Sequence, residues 1–104
     1  MPDQIVSNLL SMLEQGHDNA LIRFSLGNTY LKSKEYEQAI EHLAQAIKYD
    51  QQYSAAWKLY GKALAGAGKN DEAITAYQRG IDIAENKGDI QAAKEMKIFL
   101  KRLL

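Results

Sequence analysis

An all-α fold of stacked antiparallel helical hairpins is what this sequence predicts, and three observations carry the prediction. Ala, Leu, Glu, Lys and Gln, which favour helix, dominate every segment, and no stretch alternates apolar and polar residues with the period of a strand. Gly, Asn and Asp cluster at intervals along the chain and divide it. Sliding the chain against itself so that Ala20 falls on Ser54 aligns 20–53 with 54–87 without a gap.

The elements follow in order. Breaks at Gly16–Asn19, Lys32–Glu35, Asp50–Tyr53, Gly66–Lys69 and Asn86–Asp89 leave helices over 3–15, 20–33, 36–49, 54–67, 70–86 and 89–103. Pro2 suits the first turn of the first helix, because its fixed φ and missing N–H cost nothing there. Asp89 after Gly88 is the start signal of the last. Apolar residues recur three and four apart, as in Ala39, Ile40, Leu43, Ala46 and Ile47, so each helix has a face to bury. Short connections then force neighbouring helices to run antiparallel.

Identities across that shift are Gly27/Gly61, Ala39/Ala73, Ile40/Ile74 and Ile47/Ile81. A glycine within a helix costs about 1 kcal/mol against alanine, so two of them one period apart imply close backbone approach. The first helix of each hairpin should lean on the second there, with Ala39 and Ala73 as the complementary small surfaces.

Leu26-Gly27-x-x-Tyr30 followed by Tyr36-x-x-Ala39-x-x-x-Leu43-x-x-Ala46 resembles a tetratricopeptide repeat. Trp57-x-x-Tyr60-Gly61-x-x-Leu64 with Gly68, Ala73, Tyr77 and Gly80 resembles a second. Arg23 stands where the family often has Trp, Tyr60 and Leu64 exchange the usual Leu and Tyr, and Gln51 and Glu85 replace the Pro that commonly ends each repeat. The resemblance implies a right-handed solenoid forming a single domain over 1–104. Two repeats, 20–53 and 54–87, would be flanked by a half-repeat helix at 3–15 and a capping helix within 88–104.

Both flanks fit that frame. Ile5, Leu9, Met12 and Leu13 would face the first hairpin. Ala92, Ala93, Met96, Phe99, Leu100 and Leu103 form the apolar side of the last helix, while Gln91, Lys94 and Glu95 occupy the face that a further helix would meet, as an array terminus requires.

Chemistry is sparse. With no cysteine there is no disulfide, thiolate nucleophile or thiolate metal site. His17 and His42 lack partners at the spacing of a metal motif and read as solvated or cap-adjacent residues, so no metal and no cofactor is expected. Glu35, Glu37, Glu41, Asp71 and Glu72 lie at or near helix starts, where the helix dipole accounts for them more simply than acid–base catalysis. The glycines form no phosphate loop, and Trp57 reads as core packing. No catalytic residues and no enzyme activity are expected. Thirteen basic and thirteen acidic residues cancel, which argues against nucleic acid. No leader pattern or long apolar run is present, which argues for a cytoplasmic, soluble protein without a membrane role.

In the family it resembles, the first helices of the hairpins line a concave surface. The groove residues implied are Leu21, Phe24, Asn28, Leu31 and Lys32 on one helix, Ala55, Lys58, Lys62 and Ala65 on the next, and Met96 with Phe99 on the last. Asn28, Lys58 and Lys62 beside Phe24 and Leu21 suit a peptide carboxylate plus an apolar side chain. The arrangement resembles part of the carboxylate clamp of chaperone-docking family members. That clamp needs further basic residues on a third repeat, where Asp89 and Ala93 stand here, so recognition of chaperone tails is not expected. The function implied is an adaptor or scaffold for a protein or peptide of unknown identity. The alternative is weak homodimerisation through Ile98, Leu103 and Leu104. Lys94, Lys97, Lys101 and Arg102 give the last helix the look of a membrane-surface element, but a packed cap explains its apolar stripe better.

Overall fold

The computed structural model describes residues 2–104 as six α-helices, with no strand among them. They are α1 (Pro2–Glu14), α2 (Ala20–Lys32), α3 (Tyr36–Tyr49), α4 (Ser54–Gly66), α5 (Asn70–Lys87) and α6 (Ile90–Leu103). Local chemistry sets several of the ends. Asn19, in extended backbone, accepts a hydrogen bond from the Ile22 N–H at 2.9 Å and caps α2. Gly88 closes α5 at φ +82°, a left-handed conformation that costs glycine little, and the next N–H, from Asp89, reaches back to the Ala84 carbonyl at 2.8 Å. Asp89 then caps α6 by accepting from the Ala92 N–H.

The chain is a helical solenoid: α2 and α3 form one hairpin, α4 and α5 a second, with α1 before them and α6 after. Each hairpin closes at its mid-helix glycine. A Cβ on Gly27 would overlap the Leu43 side chain, and a Cβ on Gly61 would overlap the Tyr77 ring. Leu43 and Tyr77 are themselves one repeat period apart, so the same knob enters the same notch in both hairpins. The complement of each glycine is therefore a large residue, not the alanines expected. Ala39 is fully buried elsewhere, clustered with Leu43 and with Ala63 of α4 at the junction between hairpins. Gly80 supplies a third notch, which a Cβ would close against the Met96 sulfur at 2.6 Å and the Trp57 Cβ at 2.8 Å. Alanines at 39, 46, 56, 63, 73, 84, 92 and 93 line the core and let the helix axes approach.

Among the described residues, α1 packs on α2 alone. Val6, Leu9, Leu10 and Leu13 are half-buried, whereas Ile5 and Met12 are exposed. The expected face, Ile5, Leu9, Met12 and Leu13, is thus corrected by a rotation toward Val6 and Leu10. A helix with one neighbour needs only a narrow stripe.

His42 is a second correction, since it is 7% exposed rather than solvated. Its ring stacks on Tyr30 at 5.5 Å with the planes 4° apart, and its Nδ1 lies 3.1 Å from Arg23 Nη1. Arginine has only donors, so Nδ1 must accept and the ring must be neutral. Arg23 in turn makes a two-pronged pair with Asp18, at 2.8 and 3.0 Å, and the Tyr49 hydroxyl donates to the same carboxylate at 2.9 Å. The Arg23 hydrogen bond, above all, holds the Asp18 carboxyl below its usual range. The turn before α2 is thereby tied to α2 and α3.

Two outcomes follow. Replacing Gly61 with alanine drives a methyl into the Tyr77 ring, which is 2% exposed. Overpacking of about 1–3 kcal/mol outweighs the helix-propensity gain of about 1 kcal/mol, so urea unfolding should give a lower midpoint for Gly61→Ala. Burial first, then the Arg23 charge, pushes the His42 imidazole below its ordinary 6.5. The unfolded chain therefore binds that proton more readily, and the stabilisation is complete above about pH 6.5 and lost as pH falls toward the depressed value. Unfolding midpoints measured from about pH 7.5 to pH 5 should fall in the wild type and flatten in His42→Gln.

Candidate binding groove

The first helices of the hairpins, α2 and α4, lie side by side, and α6 continues the row. Residues at helical spacing on one side of each therefore build a common surface. Asn28, Leu31 and Lys32 from α2 and Lys62 from α4 are brought together around one pocket of about 330 Å³. Lys34, Tyr36 and Leu59 complete its lining. Leu59 and Leu31 are partly buried against the core, giving the pocket an apolar floor beneath its lysines. Lys34 sits at φ +60° in the turn after α2.

The other residues expected in the groove are placed differently. Leu21 is 64% exposed on the first turns of α2 and stands apart from the pocket. Phe24 stacks on Tyr53 at 4.8 Å, so one of its faces is already covered. Lys58 pairs with Glu95 of α6 at 2.8 Å, and that hydrogen bond holds the Glu95 carboxyl below its usual range. The positive floor expected from Asn28, Lys58 and Lys62 is thus halved, because Lys58 is neutralised across the α4–α6 step. Lys62 lies over the Phe99 ring at 5.3 Å, an attraction worth about 0.5–1 kcal/mol where solvent reaches it, and it makes no ion pair among the described residues.

Met96 is corrected outright. It is fully buried, with its sulfur packed into the Gly80 notch. A strictly constant repeat period puts Met96 in register with Asn28 and Lys62, but α5 runs to Lys87 and displaces α6. The step from the start of α4 to the start of α6, Ser54 to Ile90, is longer than the step from Ala20 to Ser54. Two side-chain contacts from α4 to α6, Lys58 to Glu95 and Lys62 to Phe99, are likewise spaced more widely than the repeat period. Phe99 therefore takes the place beside Lys62, and Met96 turns inward.

Asp89 is likewise engaged: the buried Ser54 hydroxyl donates to it at 2.6 Å, and that bond lowers the carboxyl's pKa. Sequence reasoning missed Lys34, Tyr36 and Leu59. Lys34 lies within a stretch read only as a turn, Tyr36 directly follows it, and Leu59 lies one residue from Lys58 on a different face. Among the described residues no group of three His, Asp or Glu side chains could hold a metal ion, and no helix is long and apolar enough to cross a membrane.

Comparison with known proteins agrees with this architecture. The sequence profile described as tetratricopeptide repeat matches residues 24–88. A TPR repeat-containing protein of Pseudomonas aeruginosa is 46% identical over 99 residues, covering 95% of this chain and 94% of its own length. A Bordetella parapertussis protein of known solution structure superimposes with a TM-score of 0.85 at 43% identity, over 95% of this chain and 86% of the other. The second TPR domain of human RPAP3, solved in complex with the HSP70 peptide SGPTIEEVD, shares the fold with a TM-score of 0.64 at 23% identity, over 93% of this chain and 98% of that domain. This is the fold of a protein-interaction module, and the family is typically not enzymatic. A profile match over more than half the chain, with a relative of nearly equal length, shows that the chain belongs to the tetratricopeptide repeat family.

Proposed function

We propose that this protein is a cytoplasmic adaptor that holds a short segment of another protein in its concave groove. One observation carries the reading: Asn28, Leu31, Lys32 and Lys62 converge from two helices on one pocket with an apolar floor. Lys32, Lys34 and Lys62 have no ion-pair partner among the described residues, so an acidic group arriving there is the first to meet them. An apolar side chain beside that group would rest on Leu31 and Leu59, with the exposed Leu21 farther along α2. A neighbour of the same fold carries a peptide ending in Glu-Glu-Val-Asp. Here α6 meets Lys58 and Lys62 with Glu95 and Phe99 instead of bases, so the segment favoured is acidic and apolar without that tail's dedicated grip. Zero net charge gives nucleic acid no general attraction.

The test uses an acidic peptide with a free C-terminal carboxylate, titrated while backbone amides are followed by NMR. Shifts should gather at Asn28, Leu31, Lys32 and Lys62. Lys32→Glu combined with Lys62→Glu should weaken binding about tenfold or more, since each lost charge contact is worth roughly 1 kcal/mol. Equal binding by the double variant would rule out this pocket.

A second reading, self-association through α6, draws on Ile98 at 52% and Leu104 at 81% exposure. Leu103 does not join them, because it packs against the core cluster. Exposed Lys94 and Lys101 lie one turn either side of Ile98 on α6, and a two-fold pairing would bring these like charges together. Light scattering at high concentration should accordingly give a monomer; a dimer abolished by Ile98→Lys would reverse the order of the two readings.

A further inference from the structure

The far side of α4 carries a second pocket, of about 530 Å³, that the groove does not use. At about 100° per residue, Trp57, Tyr60 and Leu64 point away from Lys58 and Lys62, and these three form its floor. Ala76 and the exposed Asp71, Glu72 and Arg79 of α5 form its wall. Trp57 and Tyr60 stand nearly at right angles, 71° apart with centroids 6.3 Å apart, and make an aromatic corner. The Trp57 indole N–H is held by the Gln51 carbonyl at 2.9 Å, which fixes one wall of the corner.

The internal repeat explains why the space is open. Shifted back by one repeat period, Trp57, Leu64 and Ala76 correspond to Arg23, Tyr30 and His42. In the first hairpin the His42 ring fills this position, stacked on Tyr30 and touching the Arg23 guanidinium. In the second hairpin the ring is cut back to the methyl of Ala76, and a cavity remains. The first hairpin thus shows what the register accommodates: flat, nitrogen-bearing groups layered on an aromatic ring.

Charge narrows the choice of occupant. Asp71 and Glu72 have no ion-pair partner among the described residues, and neither does Arg79. Glu72 lines the pocket with Tyr60, and burial, then the Glu72 charge, pushes the Tyr60 hydroxyl up. Arg79 lies two helical turns beyond Asp71 along α5, roughly 12 Å at the α-helical rise, so the two ends of the pocket carry opposite charge.

We propose that this pocket receives an arginine side chain from a partner protein, its guanidinium stacked on the Trp57–Tyr60 corner and facing Asp71 and Glu72. Arginine suits both features, because its planar cation stacks on aromatic faces and pairs with carboxylates. Arg79 takes an acidic neighbour on the same partner segment. This surface is separate from the groove, and either can fail without the other.

Trp57 is the only tryptophan, so its indole N–H signal and its fluorescence report on this pocket alone. The probe is N-acetyl-arginine amide, with N-acetyl-leucine amide as the neutral control. A saturable shift of the Trp57 indole signal with the arginine probe, at least about fivefold stronger than with the leucine probe, is expected. Asp71→Asn with Glu72→Gln, both on the surface, should weaken it about fivefold. Ala76→His, which puts back the ring that fills this position in the first hairpin, should remove it while the far-ultraviolet helix signal stays intact. Equal response to both probes, no response at all, or a response unchanged in the carboxylate variant would each overturn the proposal.

Discussion

The contact on which the rest of the molecule depends is the seating of a large second-helix side chain against a bare first-helix backbone. Leu43 enters at Gly27 and Tyr77 at Gly61, and no side chain could stand at either glycine without displacing its partner. Glycine costs helix propensity, and the gain is a short distance between axes over which dispersion and burial act. Burial at that contact pushes the Tyr77 hydroxyl pKa up to about 12, which keeps the phenol neutral within the core. Because the two contacts lie one period apart, both hairpins close in the same geometry and stack as repeats.

Stacking then determines what is free to bind. Where α4 meets α6, Lys58 is consumed by Glu95 and Lys62 leans on Phe99. Where α2 meets α4, Lys32, Lys34 and Lys62 gather over Leu31 and Leu59 without an acidic partner. In the proposed function, the charge available to a partner is therefore weighted toward the α2–α4 step. On the opposite side, the difference between His42 and Ala76 decides whether the cleft beside a second-type helix is filled or open. One fold thus presents two surfaces whose chemistry differs.

The helices and their pairing are legible in the sequence, because Gly27 and Gly61 recur one period apart and the helix ends carry Asn19, Gly88 and Asp89. What fills the glycine notches is less so: Leu43 and Tyr77 differ in type, whereas identity across the repeats points to Ala39 and Ala73 instead. Met96 is hidden because a constant period cannot register the longer α5, which advances α6 along the groove. His42 is hidden because a lone polar residue on an amphipathic helix looks solvated until Arg23, on the preceding helix, is known to meet it. The pairing of Lys58 with Glu95 depends on the same advance of α6.

The most direct test of this packing is a proton–proton NOE measurement in solution between the α-protons of Gly27 and Gly61 and the side chains that enter beside them. Strong NOEs from Gly27 to the Leu43 methyls and from Gly61 to the Tyr77 ring are predicted, with the Gly61 α-protons displaced by the ring current. Absence of both sets in the folded protein, with random-coil shifts at the two glycines, would contradict the contact on which the solenoid and its surfaces rest.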